Sequence, residues 1–266
     1  MPVRHPERIV CLTEETTETL YLLGEERRIV GISGYTVRPP RARREKPRVS
    51  AFLSAHTGKI LELKPDLVLG FSDLQADIGR DLAKAGLNVM LFNQRSVDEI
   101  LSMILMLASM VGAADRGSSL VGKLEAGLDE IRQKARAFPR RPRVYFEEWD
   151  EPMISAIRWV SELIEVAGGE DVFSELSRSQ AATGRIVQDA KEVVRRNPDV
   201  ILGSWCGKKF RPERVAARPG WQEILAVREG RLHEIKSAEI LQPGPAALTD
   251  GVRRVHEILA GVFSSR

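Results

Sequence analysis

The sequence predicts an α/β protein of two similar lobes, each a parallel sheet flanked by helices, joined by a single long helix. Three observations carry this expectation. Residues 60–70 read ILELKPDLVLG and residues 193–203 read VVRRNPDVILG, so Pro65, Asp66 and Gly70 match Pro198, Asp199 and Gly203 at one constant offset. In each copy an amphipathic helix stops before proline, which disfavours helical geometry in the preceding residue, and a short apolar run of the kind found in buried parallel strands follows. Alternation of such helices and strands is the signature of a parallel sheet with helices on its faces.

The repeat extends outward on both sides. Arg8-Ile9-Val10 and Arg143-Val144-Tyr145 each open a lobe with a strand. ETLYLLG (18–24) and SELIEVAGG (161–169) then read as helices ending in glycine, which takes the left-handed cap at little steric cost. From Ala113 to about Ala137 runs a long helical stretch in which Leu120, Leu124, Leu128 and Ile131 form one apolar stripe. Phe138-Pro139 ends it. The expected organisation is therefore an N-terminal lobe over 1–112, a linking helix over 113–138 and a C-terminal lobe over 139–266. In open α/β sheets ligands bind beyond the carboxyl ends of the strands, so the expectation places a ligand in an interlobe cleft.

Composition narrows the function classes. The chain has 266 residues, 43% of them hydrophobic, enough for a core. Its 40 Lys+Arg against 37 Asp+Glu leave +3, too little for a nucleic-acid surface without a concentrated patch. The longest apolar stretch, Ile100 to Ala114, is broken by Ser102, Ser109 and Gly112 and falls short of the ~20 residues of a membrane span. The opening residues, MPVRHPERIV, show neither the apolar stretch nor the cleavage site of a signal peptide, so the sequence as written reads as cytoplasmic. An exported receptor whose leader was trimmed is the other reading. Two cysteines, Cys11 and Cys206, make no disulfide framework, and both are expected to be small buried residues without catalytic use.

The expected strand ends supply the candidate site. The first runs into Thr13-Glu14-Glu15-Thr16-Thr17-Glu18, where the side chains either cap the next helix or, at Glu14 or Glu15, meet a ligand. The opening strand of the second lobe is expected to end in Glu147-Glu148-Trp149-Asp150-Glu151-Pro152, four acids around a tryptophan. A binding wall that accepts hydrogen bonds and stacks an aromatic plane is the main reading, and an acid/base pair or a hard-cation site are the alternatives. Trp205, just past the strand of the second repeat, is expected to face the cleft. Tyr35 and Phe52 lie on Gly/Ser-rich loops suited to stacking a ligand, and His56 shares the second of these loops. The histidines share no zinc-type spacing. Arg38 to Arg48 carries six basic residues against Glu45 and reads as a solvated face or a rim attracting anionic groups. No phosphate-binding, dinucleotide-binding or nucleophile-elbow motif is present in the sequence.

Taken together, RIVCLTEETTETLYLLG, VGISGYTVRPPRA and ILELKPDLVLG resemble the substrate-binding proteins of iron-chelate and vitamin B12 ABC transporters, most of all the B12-binding members. The likeness spans nearly the whole chain. It implies the class III periplasmic-binding-protein fold, no intrinsic cofactor and no catalytic residue. The ligand it implies is a large planar chelate, a corrinoid such as cobalamin or a similar metal-tetrapyrrole or organic chelate, with haem or a ferric siderophore as the alternatives, held by stacking contacts. By this resemblance Tyr35 and Phe52 match first-lobe aromatics that pack on the corrin ring, and Trp149 to Ile154 match a ligand-facing turn. Ser237-Ala238-Glu239-Ile240 matches a contact loop in which Ala238-Glu239 replaces the usual Asp-Trp. The family docks on its permease through one glutamate on each lobe. Those positions read Gly58 and Lys191 here, with Asp189 and Glu192 close to the second, so an ABC permease is not expected as an ordinary partner. The expected binding set is Glu14, Tyr35, Phe52, His56, Glu148, Trp149, Asp150, Trp205 and Glu239. An enzyme reusing the cleft through Glu147, Glu148 and Asp150 is the remaining alternative.

Overall fold

The computed structural model describes residues 5–264. They form two compact units, residues 5–94 with 98–124 and residues 95–97 with 125–264.

Unit 1 runs β1 (Ile9–Cys11), α1 (Glu14–Leu22), β2 (Ile29–Ser33), α2 (Ala42–Glu45), β3 (Arg48–Ser50), α3 (Thr57–Glu62), β4 (Leu67–Phe71), α4 (Ala76–Lys84), β5 (Val89–Phe92), α5 (Val97–Met110) and the first half of α6 (Ala114–Ala135). Its five strands are all parallel, in the order β3-β2-β1-β4-β5. The strand order reverses between β1 and β4, which makes the carboxyl ends of these strands the topological switch point. Val10, Leu12, Val49, Ile60, Val68 and Leu82 form the core on one face of this sheet.

Unit 2 takes the second half of α6, then β6 (Arg143–Asp150), β7 (Met153–Ser155), α7 (Arg158–Val166), β8 (Glu170–Asp171), α8 (Ser174–Ser177), α9 (Ala190–Arg196), β9 (Val200–Gly203), α10 (Pro212–Ala216), α11 (Leu225–Arg228), β10 (Leu232–Glu234), α12 (Ser237–Ile240) and α13 (Val252–Ser264). Here β8, β6, β9 and β10 pair in parallel, matching β2, β1, β4 and β5 of unit 1. The addition is β7, which pairs antiparallel with the far end of β6. Tyr145, Phe173, Ile201, Trp205, Phe210 and Trp221 anchor the core.

The sequence repeat is a repeat of hydrogen bonds. In unit 1 the Asp66 carboxylate accepts from the backbone N–H groups of Glu7 and Arg8 at 2.8 and 3.0 Å, and Asp66 N donates to Arg8 O at 2.9 Å. In unit 2 the Asp199 carboxylate accepts from Arg143 N at 2.8 Å, and Asp199 N donates back to Arg143 O at 2.8 Å. Each aspartate thus clamps the strand that opens its unit in register with the strand it precedes. The residue before each proline takes a left-handed conformation, Lys64 at φ 47° and Asn197 at φ 42°, which ends the helix before the strand begins. Gly24 and Gly168 close α1 and α7 with φ of 69° and 95°, as their glycines predict. Within α6, Leu124, Leu128 and Ile131 are buried, and the division between the units falls after Leu124.

Candidate functional site

In unit 1 the carboxyl ends of the strands carry an apolar crown over buried polar groups. Tyr35 (56% exposed) follows β2, Leu53 (69%) follows β3 and Leu74 (59%) follows β4. Phe52 is half-buried beside Leu53. Its loop is tied to the next strand end by Gln75, whose Nε2 donates to Phe52 O at 2.9 Å while its Oε1 accepts from Phe71 N at 3.0 Å. Gly70 makes room for that amide, since a Cβ there would lie 2.7 Å from Gln75 Oε1. His56 is exposed at the start of α3 and donates no side-chain cap.

Beneath the crown lies the start of α1. Thr13, expected as a possible cap, makes no side-chain cap; its hydroxyl donates to Glu15 Oε1 at 2.6 Å. Glu15 Oε2 has no partner among the described residues. Glu14 is buried and accepts from Val37 N at 3.4 Å. Burial pushes both carboxyls up to about 7, against the hydrogen bonds from Val37 and Thr13 and with the help of neighbouring acids. The basic run expected as a solvated face or anionic rim turns partly inward to pair with unit 1's own acids. Arg38 binds Glu18 at 2.9 Å, and Arg41 binds Glu26 at 2.8 Å while lying 4.7 Å from the Tyr21 ring centre.

Unit 2 differs from expectation in several ways. The acids of 147–150 lie inside β6, because pairing with β9 continues to Glu147 opposite Gly203 and the hairpin with β7 then carries the strand on to Asp150. Glu147 is fully buried, accepting from Tyr145 OH at 3.0 Å, Trp205 Nε1 at 3.1 Å and the Arg218 guanidinium at 2.6 and 3.0 Å. Glu148 pairs with buried Arg185 at 2.5 and 3.2 Å, and Arg185 also donates to Ser155 O at 2.7 Å. Asp150 is bound by the Lys208 ammonium, which sits 3.9 Å from the Trp149 ring centre and 5.2 Å from that of Trp205. Burial pushes Asp150 up, but Lys208 and two backbone N–H groups outweigh it and hold the carboxyl below its usual range. Each acid of the proposed acid/base trio is therefore neutralised by its own cation.

Trp205, expected to face a cleft, is only 4% exposed: its ring packs edge-on to Phe210 at 5.0 Å and its N–H is spent on Glu147. Cys206, expected to be buried, is exposed because Gly207 turns the loop outward at φ 78°. Cys11 is buried at the end of β1, and burial pushes its thiol up to about 12. Trp149 is half-buried with its N–H on Glu151 O at 2.9 Å. Glu239 is half-buried on α12, a short helix held by Trp159 Nε1 donating to Ile240 O at 3.0 Å. The residues that sequence reasoning missed are Leu53, Leu74, Gln75, Arg185, Lys208 and Arg218. Among the described residues no group of three or more His, Cys, Asp or Glu is placed to hold a metal, and no helix is long and apolar enough to cross a membrane. A groove of about 290 Å3 beside Phe138, Arg140 and Arg141 lies at the opposite, amino end of β6, and its Arg140 and Arg141 are engaged by Asp199 and Gly169 O.

A doubly wound sheet in each unit, with apolar and aromatic groups on strand-end loops and with Glu147, Glu148 and Asp150 each paired to a cation, fits a binder of solutes. The chain belongs to the periplasmic binding protein family, whose model matches residues 9–239. It is similar to the uncharacterized ABC transporter substrate-binding lipoprotein YvrC of Bacillus subtilis (strain 168), 26% identical over 96% of this chain and 80% of the relative. Among solved structures it resembles the periplasmic heme-binding protein RhuT from Roseiflexus sp. RS-1 in apo form, with TM-score 0.80 and 25% identity over 95% of this chain and 99% of that one. It likewise resembles the periplasmic vitamin B12 binding protein BtuF of Vibrio cholerae, with TM-score 0.75 and 25% identity over 98% and 99%.

Proposed function

We propose that this solute-binding protein holds a flat metal chelate of the corrinoid class without transforming it. The observation that carries the reading is the crown of Tyr35, Leu53 and Leu74, three large exposed apolar side chains on loops after three neighbouring or near-neighbouring parallel strands. Exposed apolar groups gathered on one edge mark a surface that a ligand or partner covers. A broad, largely apolar ring suits that crown, and in unit 2 the Trp149 ring lies beside the Lys208 ammonium. Relatives named for vitamin B12 and for heme support a tetrapyrrole-like plane as the ligand. Pairing of Glu147, Glu148 and Asp150 with Arg218, Arg185 and Lys208 leaves none of these three acids free for acid/base work, which favours binding over turnover by that trio.

Docking on a permease is not part of the proposal. Gly58 has open space around it and no charge. Near Lys191, Asp189 caps α9 by accepting from Lys191 N at 2.9 Å, and Glu192 is paired with Arg195 and Arg196. The test is titration calorimetry of the purified chain with cobalamin, cobinamide and haem. Saturable heat with a corrinoid supports the reading. Heat with haem alone replaces the corrinoid by an iron porphyrin, and no heat at high micromolar protein with any of the three overturns it.

A further inference from the structure

The turn after β4 faces two ways. Leu74 is 59% exposed in the crown, whereas Gln75, the next residue, is fully buried. The Gln75 side-chain amide joins two crown segments: Oε1 accepts from Phe71 N at 3.0 Å, and Nε2 donates to Phe52 O at 2.9 Å. These segments lie at the ends of β4 and β3, which are not neighbours in the sheet, since β2 and β1 stand between them. The sheet's own ladder therefore does not tie the Phe52 loop to β4, and the buried amide does. Gly70 leaves room for it, because a Cβ there would lie 2.7 Å from Gln75 Oε1. Ser72, which opens the turn, has φ 66° and ψ 172°, a region that only glycine enters without strain. Its N donates to Phe92 O at 2.7 Å, its O accepts from Gln75 N at 3.2 Å and its Oγ accepts from Leu74 N at 3.2 Å. A strained residue persists only where its surroundings over-determine it, and such residues gather at ligand clamps.

We propose that Gln75 is a positioning residue for ligand binding: by fastening Phe52 O to the end of β4, it fixes the Phe52–Leu53 loop beside Leu74 before a ligand arrives. The inference rests on the reading of the crown as the ligand-binding surface, and adds the buried group that sets the crown's shape. Leu53 is 69% exposed and has little packing of its own to order its loop. A loop already ordered in the free protein has lost the conformational freedom that binding would otherwise cost, so the clamp acts on affinity through residues it holds. Ser72 serves the same end from the backbone. Its strained turn sends Gln75 into the fold and leaves Leu74 on the surface, which couples the inner clamp to the outer crown.

Two variants of the full chain test this. Gln75→Met keeps the length of the side chain and removes both hydrogen bonds. Hydrogen exchange of the amides of 51–54, where Ala51 N donates to Ser54 O at 2.8 Å, should quicken about tenfold relative to the amides of β1 and β5. Calorimetric titration with dicyanocobinamide should show binding weakened about tenfold. Affinity of the folded protein is the readout that a purely structural loss would not move. Gln75→Glu supplies the rescue: its protonated acid donates to Phe52 O and its carboxylate cannot, and burial favours the protonated form. At pH 5 it should therefore bind within about twofold of the wild type, and the gap should widen as pH rises. If Gln75→Met gives no cooperative circular-dichroism melt, Gln75→Glu at pH 5 and pH 9 carries the comparison. Wild-type affinity in folded Gln75→Met, or in Gln75→Glu at both pH values, overturns this inference and leaves the corrinoid reading standing. No binding of dicyanocobinamide by the wild type overturns the corrinoid reading and the inference with it.

Discussion

Replacing Glu15 by glutamine should reduce the loss of stability between pH 5 and pH 8. Glu15 is 1% exposed, its carboxyl accepts from Thr13 Oγ1 at 2.6 Å and from its own backbone N–H, and its Oε2 receives nothing among the described residues. Burial lifts its carboxyl from 4.5 to about 7. A carboxyl raised on folding contributes stability that is fully present below its unfolded value and is lost as pH rises through its folded value. At about 1.4 kcal/mol per pKa unit, the rise corresponds to roughly 3 kcal/mol in all, of which roughly 2–3 kcal/mol is lost between pH 5 and pH 8. Glutamine keeps the acceptor for Thr13 and cannot ionise, so the variant should lose that much less over the same interval. Its added amide group shifts the curve as a whole, through an extra buried donor, and leaves the pH difference as the readout. Urea unfolding of both proteins at pH 5 and pH 8 measures it. An equal loss of stability in wild type and Glu15→Gln would show that Glu15 is not held as a buried, raised acid, and the reasoning would fail.

Other outcomes follow from the same geometry. Asp199→Ala should cost roughly 2–3 kcal/mol in urea unfolding, because it removes a buried clamp on Arg143 N and the partner of half-exposed Arg140; Asp66→Ala, at the matching but exposed position, should cost less. Lys64→Gly should stabilise by roughly 0.5–1 kcal/mol, since glycine relieves the left-handed conformation at φ 47° at some cost in chain entropy; an unchanged melting midpoint would count against that strain. Tyr35→Ala should weaken corrinoid binding by about tenfold with the melting temperature within a degree or two, because the ring is mostly exposed and makes its contacts with ligand. Affinity unchanged by Tyr35→Ala would remove Tyr35 from the binding surface.

The fold was legible because its repeat is built from residues with local meaning. Pro65 and Pro198 stop helices, Asp66 and Asp199 clamp strands, and Gly24 and Gly168 cap α1 and α7, so sequence spacing alone carried the two-unit α/β plan. The hairpin of β6 and β7 was not legible, since its acids read as a strand end while their neutralising partners lie 37 to 71 residues away. Trp205 read as exposed for the same reason: its burial depends on Glu147, 58 residues distant, and on Phe210 across the turn. In unit 1, Tyr35 and Phe52 were found from their loops. Leu53 and Leu74 were missed, because a leucine in a loop carries no local mark of exposure and only the parallel strand ends gather them with Tyr35.

The most direct test of the central claim is the visible spectrum and mass of the ligand retained when the chain is isolated from the organism that makes it. A corrin absorption envelope and the mass of a cobalt corrinoid are the predicted result. A porphyrin Soret band, or an iron chelate, would contradict the account.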